Sequence, residues 1–401
     1  NDSLGHSAGD LLLREVAKRL ARYVRDSDVV GHYVEPNSQI DVSRLGGDEF
    51  TVVLNQIDSS ESAGVVARRL LEMLAQPITI EGHELVITPS IGIAIAPDDA
   101  DSVEGLLKAA DTAMYHAKTS GKNKFMYYNS GMNAASVDRL KLENDLRRAM
   151  ERNELMLYYQ PQVDTQTGAV VGAEALMRWQ HPEMGLVPPL KFIPLAEEMG
   201  LIGALGEWSL EEACRQMVEL QVLGLELPKV SVNVSALQFN HSFINCVTDV
   251  LTRTGLRPMR LQLELTEGIM MDNTEATIHA LSHLKELGVR LSIDDFGTGY
   301  SSLSYLSRIP LDELKIDRSF VIDYDTSEND ASLVIAIIAM ARSLRLQLVA
   351  EGVETHEQYH FLRNYGASVI QGYLFSKPVT LEQLKPLLAP GYFKGQLQQI
   401  T

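Results

Sequence analysis

Carboxylate and amide side chains recur in the second part of the chain, each close to the point where a short apolar run ends. These polar residues are Glu174, Asn233, Glu264, Asp294 with Asp295, Lys315 with Asp317, Glu351 and Gln371. Carboxylate and amide oxygens are hard ligands that suit Mg²⁺ or Mn²⁺ rather than zinc, and no obvious histidine pair accompanies them. The set predicts a divalent-metal site, because several acids in one place repel one another strongly unless cations lie between them.

Such a site would suit the cleavage of a phosphate ester. Two ions bridged by a carboxylate would polarise a phosphate, lower the pKa of a bound water and hold that water in line for attack. The alternative is that each acid is a helix N-cap or a solvated loop residue. Glu264 and Asp294 favour the metal site, because both end otherwise apolar strands, where an unpaired charge is costly.

Eight short apolar runs carry these residues and predict strands. They cover 156–160, 170–176, 230–235, 261–266, 289–294, 313–317, 347–351 and 368–372. Most gaps between them have helical periodicity, so strand and helix alternate as in a TIM-like (β/α)8 barrel, whose strand C-terminal ends meet at one mouth. Only a polar turn at 164–168 separates the first two strands. That turn is too short for a parallel crossover, so we expect the first strand to be antiparallel.

The beginning of the chain has a different pattern, typical of an α/β module. Helical spacing covers 11–24, and strands are predicted at 50–54 and 86–96, the latter interrupted at Pro89. A further helix is expected to begin at a capping box formed by Asp101 and Glu104.

Three segments follow from these patterns. The stretch 136–153 is charged and free of Gly and Pro, which predicts a connecting helix. We therefore expect one domain at 1–130, a connecting helix within 131–153 and a second domain at 154–401.

Composition excludes several classes of protein. With 401 residues, 45% of them hydrophobic and 22% charged, the chain is expected to fold, and its formal charge of -18 disfavours nucleic-acid or anionic-membrane binding. The longest apolar run, 333–341, is too short to cross a bilayer. The two cysteines, Cys214 and Cys246, form no CxxC pair, which favours a reducing, cytoplasmic setting.

The second part of the chain resembles the EAL-domain family of cyclic di-GMP phosphodiesterases over about residues 154–390. The matching motifs are Glu174-Ala175-Leu176 followed by Arg178, Asn233-Val234-Ser235, Glu264-Leu265-Thr266-Glu267, Asp294-Asp295-Phe296-Gly297, Lys315-Ile316-Asp317, Glu351-Gly352-Val353-Glu354 and Gln371-Gly372-Tyr373. The resemblance implies hydrolysis of cyclic di-GMP to the linear dinucleotide pGpG with two Mg²⁺ or Mn²⁺ ions.

The resemblance also implies a role for each matching residue. One ion would be held by Glu174, Asn233, Glu264 and Asp294, and a second by Asp294, Asp295 and Glu351. Lys315 would orient or activate the attacking water, with Glu351 as the other candidate, and Glu267 would brace the loop after Asp295. Substrate contacts would come from Gln160, Leu176, Arg178, Asp317, Glu354 and Gln371. A structural role is the alternative for Asp317 and Glu354, and an interface salt bridge is the alternative for Arg178.

The first domain resembles the GGDEF diguanylate cyclase family. The matching segments are 1–6, 9–10, 44–50 and 118–122, which include the tetrad Gly46-Gly47-Asp48-Glu49. Adjacent glycines allow a hairpin turn to bring backbone N–H groups against phosphates. The resemblance implies GTP contacts from Asn1, Asp10, Gly46, Gly47, Lys118 and Lys122. It also implies a metal at Asp48, and metal binding or proton transfer at Glu49.

Two departures from the GGDEF pattern put cyclase activity in doubt. The family's first strand, with its metal-binding Asp, precedes the Asn-Asp motif, yet this chain opens at Asn1, so we expect an α/β domain whose central sheet lacks its first strand. Segment 31–43 is expected to be an insertion that displaces a possible inhibitory site or bulges from the hairpin. That site is Arg25 with Asp28, for which a surface ion pair is the alternative.

The sequence thus predicts a cyclic di-GMP phosphodiesterase whose GGDEF domain binds GTP as a regulator or residual cyclase. The alternatives are a bifunctional or net diguanylate cyclase and a non-catalytic cyclic di-GMP receptor. From the two families we also expect a homodimer and upstream sensory domains, with any membrane anchor upstream of this chain.

Overall fold

The computed structural model describes residues 5–25, 40–55, 57, 59–80, 82–240, 242–271, 275–297, 306, 308–322, 324 and 328–400. The chain forms two compact units, Asn1–Leu142 and Glu143–Thr401. No helix in the described ranges is long and apolar enough to cross a membrane.

The first unit alternates helices and short strands, as an α/β domain does. Its elements are α1 Gly5–Arg25, β1 Ile40–Gly46, β2 Glu49–Leu54, α2 Ser60–Leu74, β3 Ile78–Ile80, β4 His83–Leu85, β5 Ser90–Ile93, α3 Val103–Thr119 and β6 Lys124–Tyr127, followed by α4 Gly131–Ala149. Strands β1 and β2 pair antiparallel, as do β3 and β4, whereas β5 and β6 are parallel. Apolar residues of α1, α2 and β3, among them Leu20, Leu70 and Ile78, form its core.

The described strands of this unit form three separate pairs. Two expectations for this unit need correction. The strand expected at 86–96 is Ser90–Ile93, since Pro89 has no N–H to donate to a ladder. Helix α3 is capped by Ser102 rather than Asp101, because the Ser102 side chain accepts a hydrogen bond from Gly105 N at 3.1 Å.

The segment expected to be an insertion is also partly regular structure. Ile40–Ser43 pairs with 51–54 as the first half of β1, so these residues do not bulge from the hairpin. Residues 31–39 lie outside the described residues.

The second unit is a closed barrel, as expected. Its elements are β7 Leu155–Asp164, β8 Val170–His181, β9 Gly185–Val187, α5 Pro189–Glu198, α6 Ile202–Val222, β10 Val230–Val234, α7 Phe243–Thr254, a 3-10 turn Pro258–Arg260, β11 Leu261–Thr266, α8 Glu267–Met271, α9 Glu275–Glu286, β12 Arg290–Phe296, β13 Glu313–Ile316, α10 Arg318–Ile322, α11 Glu328–Ser343, β14 Gln347–Ala350, α12 His356–Tyr365, β15 Val369–Ile370, α13 Leu381–Leu387 and α14 Lys394–Ile400.

Eight strands close the barrel around one core. The ladder runs β8, β10, β11, β12, β13, β14, β15 and β7, and β7 returns to β8. Strand β7 is antiparallel to both of its neighbours, and the other barrel pairs are parallel, which confirms the expected antiparallel first strand. Strand β9, which the sequence did not predict, extends β8 as an antiparallel edge strand.

The parallel strands are buried on both faces, which explains their apolar sequences. Leu263, Leu265 and Leu291 are fully buried against the surrounding helices, while polar residues alternate with them and face the barrel interior. This alternation is what places carboxylates inside an otherwise apolar core.

Candidate active site

A buried lysine at the third position of β13 forms the centre of the site. Lys315 Nζ lies 2.6 Å from Glu264 Oε2, 3.0 Å from Asp294 Oδ1, 2.5 Å from Glu351 Oε1 and 3.3 Å from Glu174 Oε2. The lysine side chain is inaccessible to solvent. The structure therefore brings together four carboxylates from four different strands or strand ends around one ammonium.

Three of these carboxylates could hold a metal ion. Oxygen atoms of Glu174, Glu264 and Asp294 all lie within 4.8 Å of one another. Glu264 Oε1 is buried without a hydrogen-bond partner among the described residues. An unsatisfied carboxylate oxygen beside two others is the donor set that a hard divalent cation prefers.

Amide side chains orient Glu174 within this group. Asn233 Nδ2 donates to Glu174 Oε1 at 2.6 Å, and Gln371 Nε2 donates to Glu174 Oε2 at 2.5 Å. Asn233 lies on β10, which pairs with β8, and Gln371 directly follows β15, which pairs with β7. The Glu174 carboxylate is therefore held from both directions around the barrel.

The charges of the site shift its protonation equilibria in opposite directions. Burial raises the pKa of Glu264 well above its usual value, and Glu174, Asp294 and Glu351 add to this, although Lys315 opposes it. Burial likewise raises the pKa of Glu351 to about 8. Burial also opposes ionisation of Glu174, but Lys315 and the amide hydrogen bonds outweigh it and lower its pKa.

Lys315 itself is held in the charged form. Burial disfavours its ammonium, but the four carboxylates more than compensate, so the pKa of Lys315 lies well above its usual value. One cation does not balance four acids, so the site favours further positive charge.

Asp295 follows Asp294 but lies in a different environment. Its backbone has φ +54°, a left-handed conformation that Asp tolerates better than most residues, and its side chain is partly accessible to solvent. Partial burial, Asp294 and Asp317 raise its pKa to about 6. Glu267 Oε2 accepts a hydrogen bond from Gly297 N at 3.4 Å, so Glu267 contacts the loop that follows Asp295.

The predicted substrate residues on β7 and β8 lie next to this centre. Gln160 accepts from Gln371 Nε2 at 3.3 Å and donates to Ser376 O at 3.1 Å. Arg178 donates to Met177 O at 2.9 Å, and its guanidinium lies 5.7 Å from the centre of the Tyr158 ring.

Leu176 and Arg178 are the predicted substrate residues on β8. Leu176, which is half-buried, is opposite Tyr158 in the β7–β8 ladder. Burial lowers the pKa of Arg178, although Glu174 opposes this shift, so an anion at this position would restore favourable charge pairing.

Asp317 and Glu354 make contacts outside the carboxylate cluster. Asp317 Oδ1 accepts hydrogen bonds from Ser319 N at 3.0 Å and from the Ser319 hydroxyl, at the start of α10. Glu354 forms an ion pair of 2.9 Å with Arg318, and both side chains are exposed. A structural role and a contact with substrate both stay predictions for these two residues.

Sequence reasoning missed a second amide on β7. Gln162 is fully buried, and its Nε2 donates to Gln371 Oε1 at 3.1 Å. The pattern that could have identified it is its spacing of two from Gln160, because alternate residues of a strand face the same side.

The hairpin of the first unit carries the predicted phosphate-binding glycines. Gly46 is opposite Glu49 in the ladder, and Gly47 has φ +53°, the left-handed region that Gly enters readily. Arg44 closes the turn by donating to Gly47 O at 2.6 Å and 3.0 Å. Asp48 and Glu49 are exposed at its tip.

The other predicted GGDEF residues lie on α1, at the end of α3 or outside the described residues. Lys118 on α3 and Lys122 after it are exposed. Asn1 and Asp28 lie outside the described residues. Asp10 and Arg25 are on α1, but their side chains lie outside the described part of the chain.

Family models match both halves of the chain. The EAL domain matches residues 143–378, and the diguanylate cyclase GGDEF domain matches residues 1–124.

Two curated proteins are similar to this chain over nearly its whole length. The bifunctional diguanylate cyclase/cyclic di-GMP phosphodiesterase MucR of Pseudomonas aeruginosa is 45% identical over 385 residues, which is 96% of this chain and 54% of MucR. The cyclic di-GMP phosphodiesterase NbdA of the same organism is 43% identical over 389 residues, 97% of this chain and 48% of NbdA. The chain thus spans about half the length of these curated relatives.

A solved structure extends the comparison to the barrel. The PaMucR phosphodiesterase in complex with c-di-GMP is 48% identical, with a TM-score of 0.59, and the match covers 61% of this chain and 99% of that structure. The chain belongs to the EAL domain family and carries a GGDEF domain in tandem before its EAL domain.

Proposed function

We propose that the barrel hydrolyses cyclic di-GMP to linear pGpG. The observation that carries this proposal is Lys315 Nζ within 3.3 Å of four carboxylates, three of which could share a cation. The names of MucR, NbdA and the c-di-GMP complex of PaMucR support the choice of substrate.

We propose that the site holds two Mg²⁺ or Mn²⁺ ions, the first near the three carboxylates that lie together. Glu174, Asn233, Glu264 and Asp294 would hold one ion, and Asp294, Asp295 and Glu351 a second. Asn233 uses its Nδ2 for Glu174, so that contact leaves its Oδ1 available as a ligand. When bound, such ions neutralise the acidic mouth toward a substrate with two negative phosphates, polarise the phosphate and lower the pKa of water.

Lys315, Glu351 and Glu267 would each have a separate role in the reaction. Lys315 keeps its proton because four carboxylates surround it, so it orients water and stabilises developing negative charge as a donor. Glu351 is the other candidate for activating the attacking water, because its carboxylate lies 2.5 Å from Lys315 Nζ at the same centre. Glu267 braces the Asp294–Gly297 segment through Gly297 N.

Arg178 and the amides of β7 would hold the substrate. Arg178 would pair with a phosphate oxygen, and Gln160, Leu176 and Gln371 would line the adjoining wall. Asp317 and Glu354 would act mainly through Ser319 and Arg318, with which they are paired.

The GGDEF hairpin would bind GTP as a regulator or residual cyclase. Gly46 and Gly47 would approach phosphates, helped by Lys118 and Lys122, with Asp48 and Glu49 at a metal. We divide the chain at 1–130 and 154–401 around the connecting helix, and we propose a homodimer. Two unpaired cysteines, Cys214 and Cys246, favour a cytoplasmic setting.

The test is to incubate the purified chain with cyclic di-GMP and Mg²⁺ or Mn²⁺ and to separate the products by chromatography. We expect pGpG to accumulate, and Glu174→Ala to reduce turnover by at least about 100-fold, in the range seen when a metal site loses a principal ligand. Glu382→Ala, which removes an exposed acid paired with Lys385, is the matched control and should retain activity.

Two outcomes would count against the proposal. Binding of cyclic di-GMP without any pGpG under either metal would indicate a receptor. Production of cyclic di-GMP from GTP in excess of its hydrolysis would indicate a net cyclase.

A further inference from the structure

A second set of buried polar side chains lies inside the barrel, below the carboxylates. Lys229, Gln262 and Glu313 are each no more than 1% exposed. Lys229 directly precedes β10, Gln262 is on β11, and Glu313 begins β13. We call these three residues the basal polar layer. None of them belongs to the acidic site described above.

Hydrogen bonds join the members of the basal polar layer to one another. Lys229 Nζ donates to Gln262 Oε1 at 2.9 Å and forms an ion pair with Glu313 Oε2. Gln262 Nε2 donates to Glu313 Oε1 at 2.5 Å and to Ser231 Oγ at 3.2 Å. Removing one member would leave the other charge buried and uncompensated, so the pair constrains both strands that carry it.

The layer lies directly under the acidic site along the same strands. Gln262 is two residues before Glu264, and Glu313 is two residues before Lys315. Alternate residues of a strand face the same side and are separated by roughly 6–7 Å along it. A shift of Gln262 or Glu313 is therefore transmitted through one pleat of backbone to Glu264 or Lys315.

The neighbouring strand is shaped to receive this layer. A Cβ on Gly172 of β8 would lie 2.8 Å from Lys229 Cε and 2.7 Å from Gln162 Oε1, closer than side-chain carbons approach. The absence of a side chain at Gly172 thus allows Lys229 to extend across the interior beneath Glu174, which is two residues further along β8.

We propose that the basal polar layer positions the metal-holding side chains above it, an inference that rests on the proposed function of that site. Lys229 and Glu313 are positioning residues that act through Gln262 on Glu264 and through β13 on Lys315. As an ion pair they add no net charge beneath the site. Either one alone would add a full charge in a medium where charges interact strongly.

The test uses Mn²⁺ affinity, measured by electron paramagnetic resonance titration of the full chain, because it does not depend on turnover. Glu313→Gln and Lys229→Met each leave one charge unpaired. We expect Glu313→Gln, which leaves a buried positive charge beneath the ligands, to weaken Mn²⁺ binding by about tenfold or more. Lys229→Met should weaken it less, because the negative charge that it leaves at Glu313 attracts the cation while the loss of the Lys229 contact displaces Gln262. The double variant Lys229→Met/Glu313→Gln removes both charges and both positioning contacts, and we expect its loss of affinity to be no larger than that of Glu313→Gln alone, because the two residues act as one unit.

Asp312→Asn provides the matched control. Asp312 directly precedes Glu313 and also binds a lysine, since both of its oxygens lie 2.7 Å from Lys285 Nζ, but this pair is partly exposed and joins β13 to α9. The control should lower the melting temperature and leave Mn²⁺ affinity within about twofold.

Three results separate the possibilities. Circular dichroism identifies a temperature at which every variant is folded, and the titrations are made there. Single variants that bind Mn²⁺ as the unaltered chain does would overturn the positioning role, as would a double variant that shows the product of the two single losses. If the unaltered chain neither binds Mn²⁺ nor hydrolyses cyclic di-GMP, the proposed function fails together with this inference.

Discussion

Glu264 and Lys315 illustrate what can and cannot be inferred from single residues. A carboxylate at the end of an apolar strand is costly unless it is paired, and this cost already indicated a site at Glu264. The pairing itself was not predicted, because Lys315 reaches Glu264 only through the closure of the barrel, across 51 positions of sequence. For the same reason the basal pair of Lys229 and Glu313 gave no recognisable pattern in the sequence.

The metal-free protein should lose stability as the pH rises from about 5 to about 8. Burial raises the pKa of Glu351 to about 8, so the native state keeps a proton that the unfolded chain has released above its ordinary pKa of 4.5. The free energy of unfolding therefore falls with pH in this window, by up to about 1.4 kcal/mol per pH unit for one proton.

Urea unfolding at several pH values with a chelator present measures this slope. Glu351→Gln, which cannot titrate, should reduce this slope by up to about 1.4 kcal/mol per pH unit, while Glu264, whose pKa is also raised, keeps part of it. Mn²⁺ should stabilise the unaltered chain more at pH 8 than at pH 6. A variant with the same slope as the unaltered chain would contradict the assignment to Glu351.

Among the elements, two loops at the barrel mouth approach each other so closely that only glycine fits. A Cβ on Gly372, between Gln371 and Tyr373, would lie 2.0 Å from Val353 O, in the loop that follows β14 and Glu351. A backbone hydrogen bond of 3.3 Å, donated by Val353 N to Gln371 O, joins the two loops. The two loops therefore position Glu351 and Gln371 together.

Gly372→Ala should destabilise the chain by about 1–3 kcal/mol and reduce turnover, because the backbone at Val353 must move. The control is Gly203→Ala in α6, where a Cβ would meet nothing within 4 Å, so stability should rise by up to about 1 kcal/mol. Thermal and urea unfolding of both variants, with turnover measured alongside, checks the pair. Equal stability of the two variants would show that the close approach is not rigid.

The types of the helices and strands were easier to predict from the sequence than the residues at which they begin and end. Apolar runs correctly predicted the eight barrel strands, because most residues of these strands are buried in the core. Their ends depend on neighbouring strands instead. Strand β8 extends to His181 because β9 pairs with it, and β15 shortens to Val369–Ile370. At α3, Asp101 and Ser102 are both good caps, and only the contact with Gly105 N distinguishes them.

At the scale of the whole chain, helix α4 crosses the division between the two units. Within the first unit, Arg139 lies 4.7 Å above the ring of Tyr115 on α3. Within the second, Asp145 Oδ2 lies 3.1 Å from His181 Nε2 at the end of β8. His181 is buried and its Nδ1 accepts from Glu183 N and Met184 N, so its proton is on Nε2 and is donated to Asp145.

This hydrogen bond should affect how GTP influences hydrolysis of cyclic di-GMP. A ligand shifts an equilibrium only if it binds the two states with different affinities. Helix α4 contains residues of both units and is one element through which such a difference could act. We expect saturating GTP to change the hydrolysis rate of the unaltered chain. Asp145→Ala should reduce that change, because it removes the partner of a buried donor on the strand that carries Glu174 and Arg178.

Glu151→Ala, an exposed acid beyond the helix, is the control and should respond to GTP normally. Initial rates of pGpG formation across a GTP series measure all three. A rate that stays constant across the series in the unaltered chain would exclude coupling through α4, whereas an equal response in the Asp145 variant would exclude only this contact.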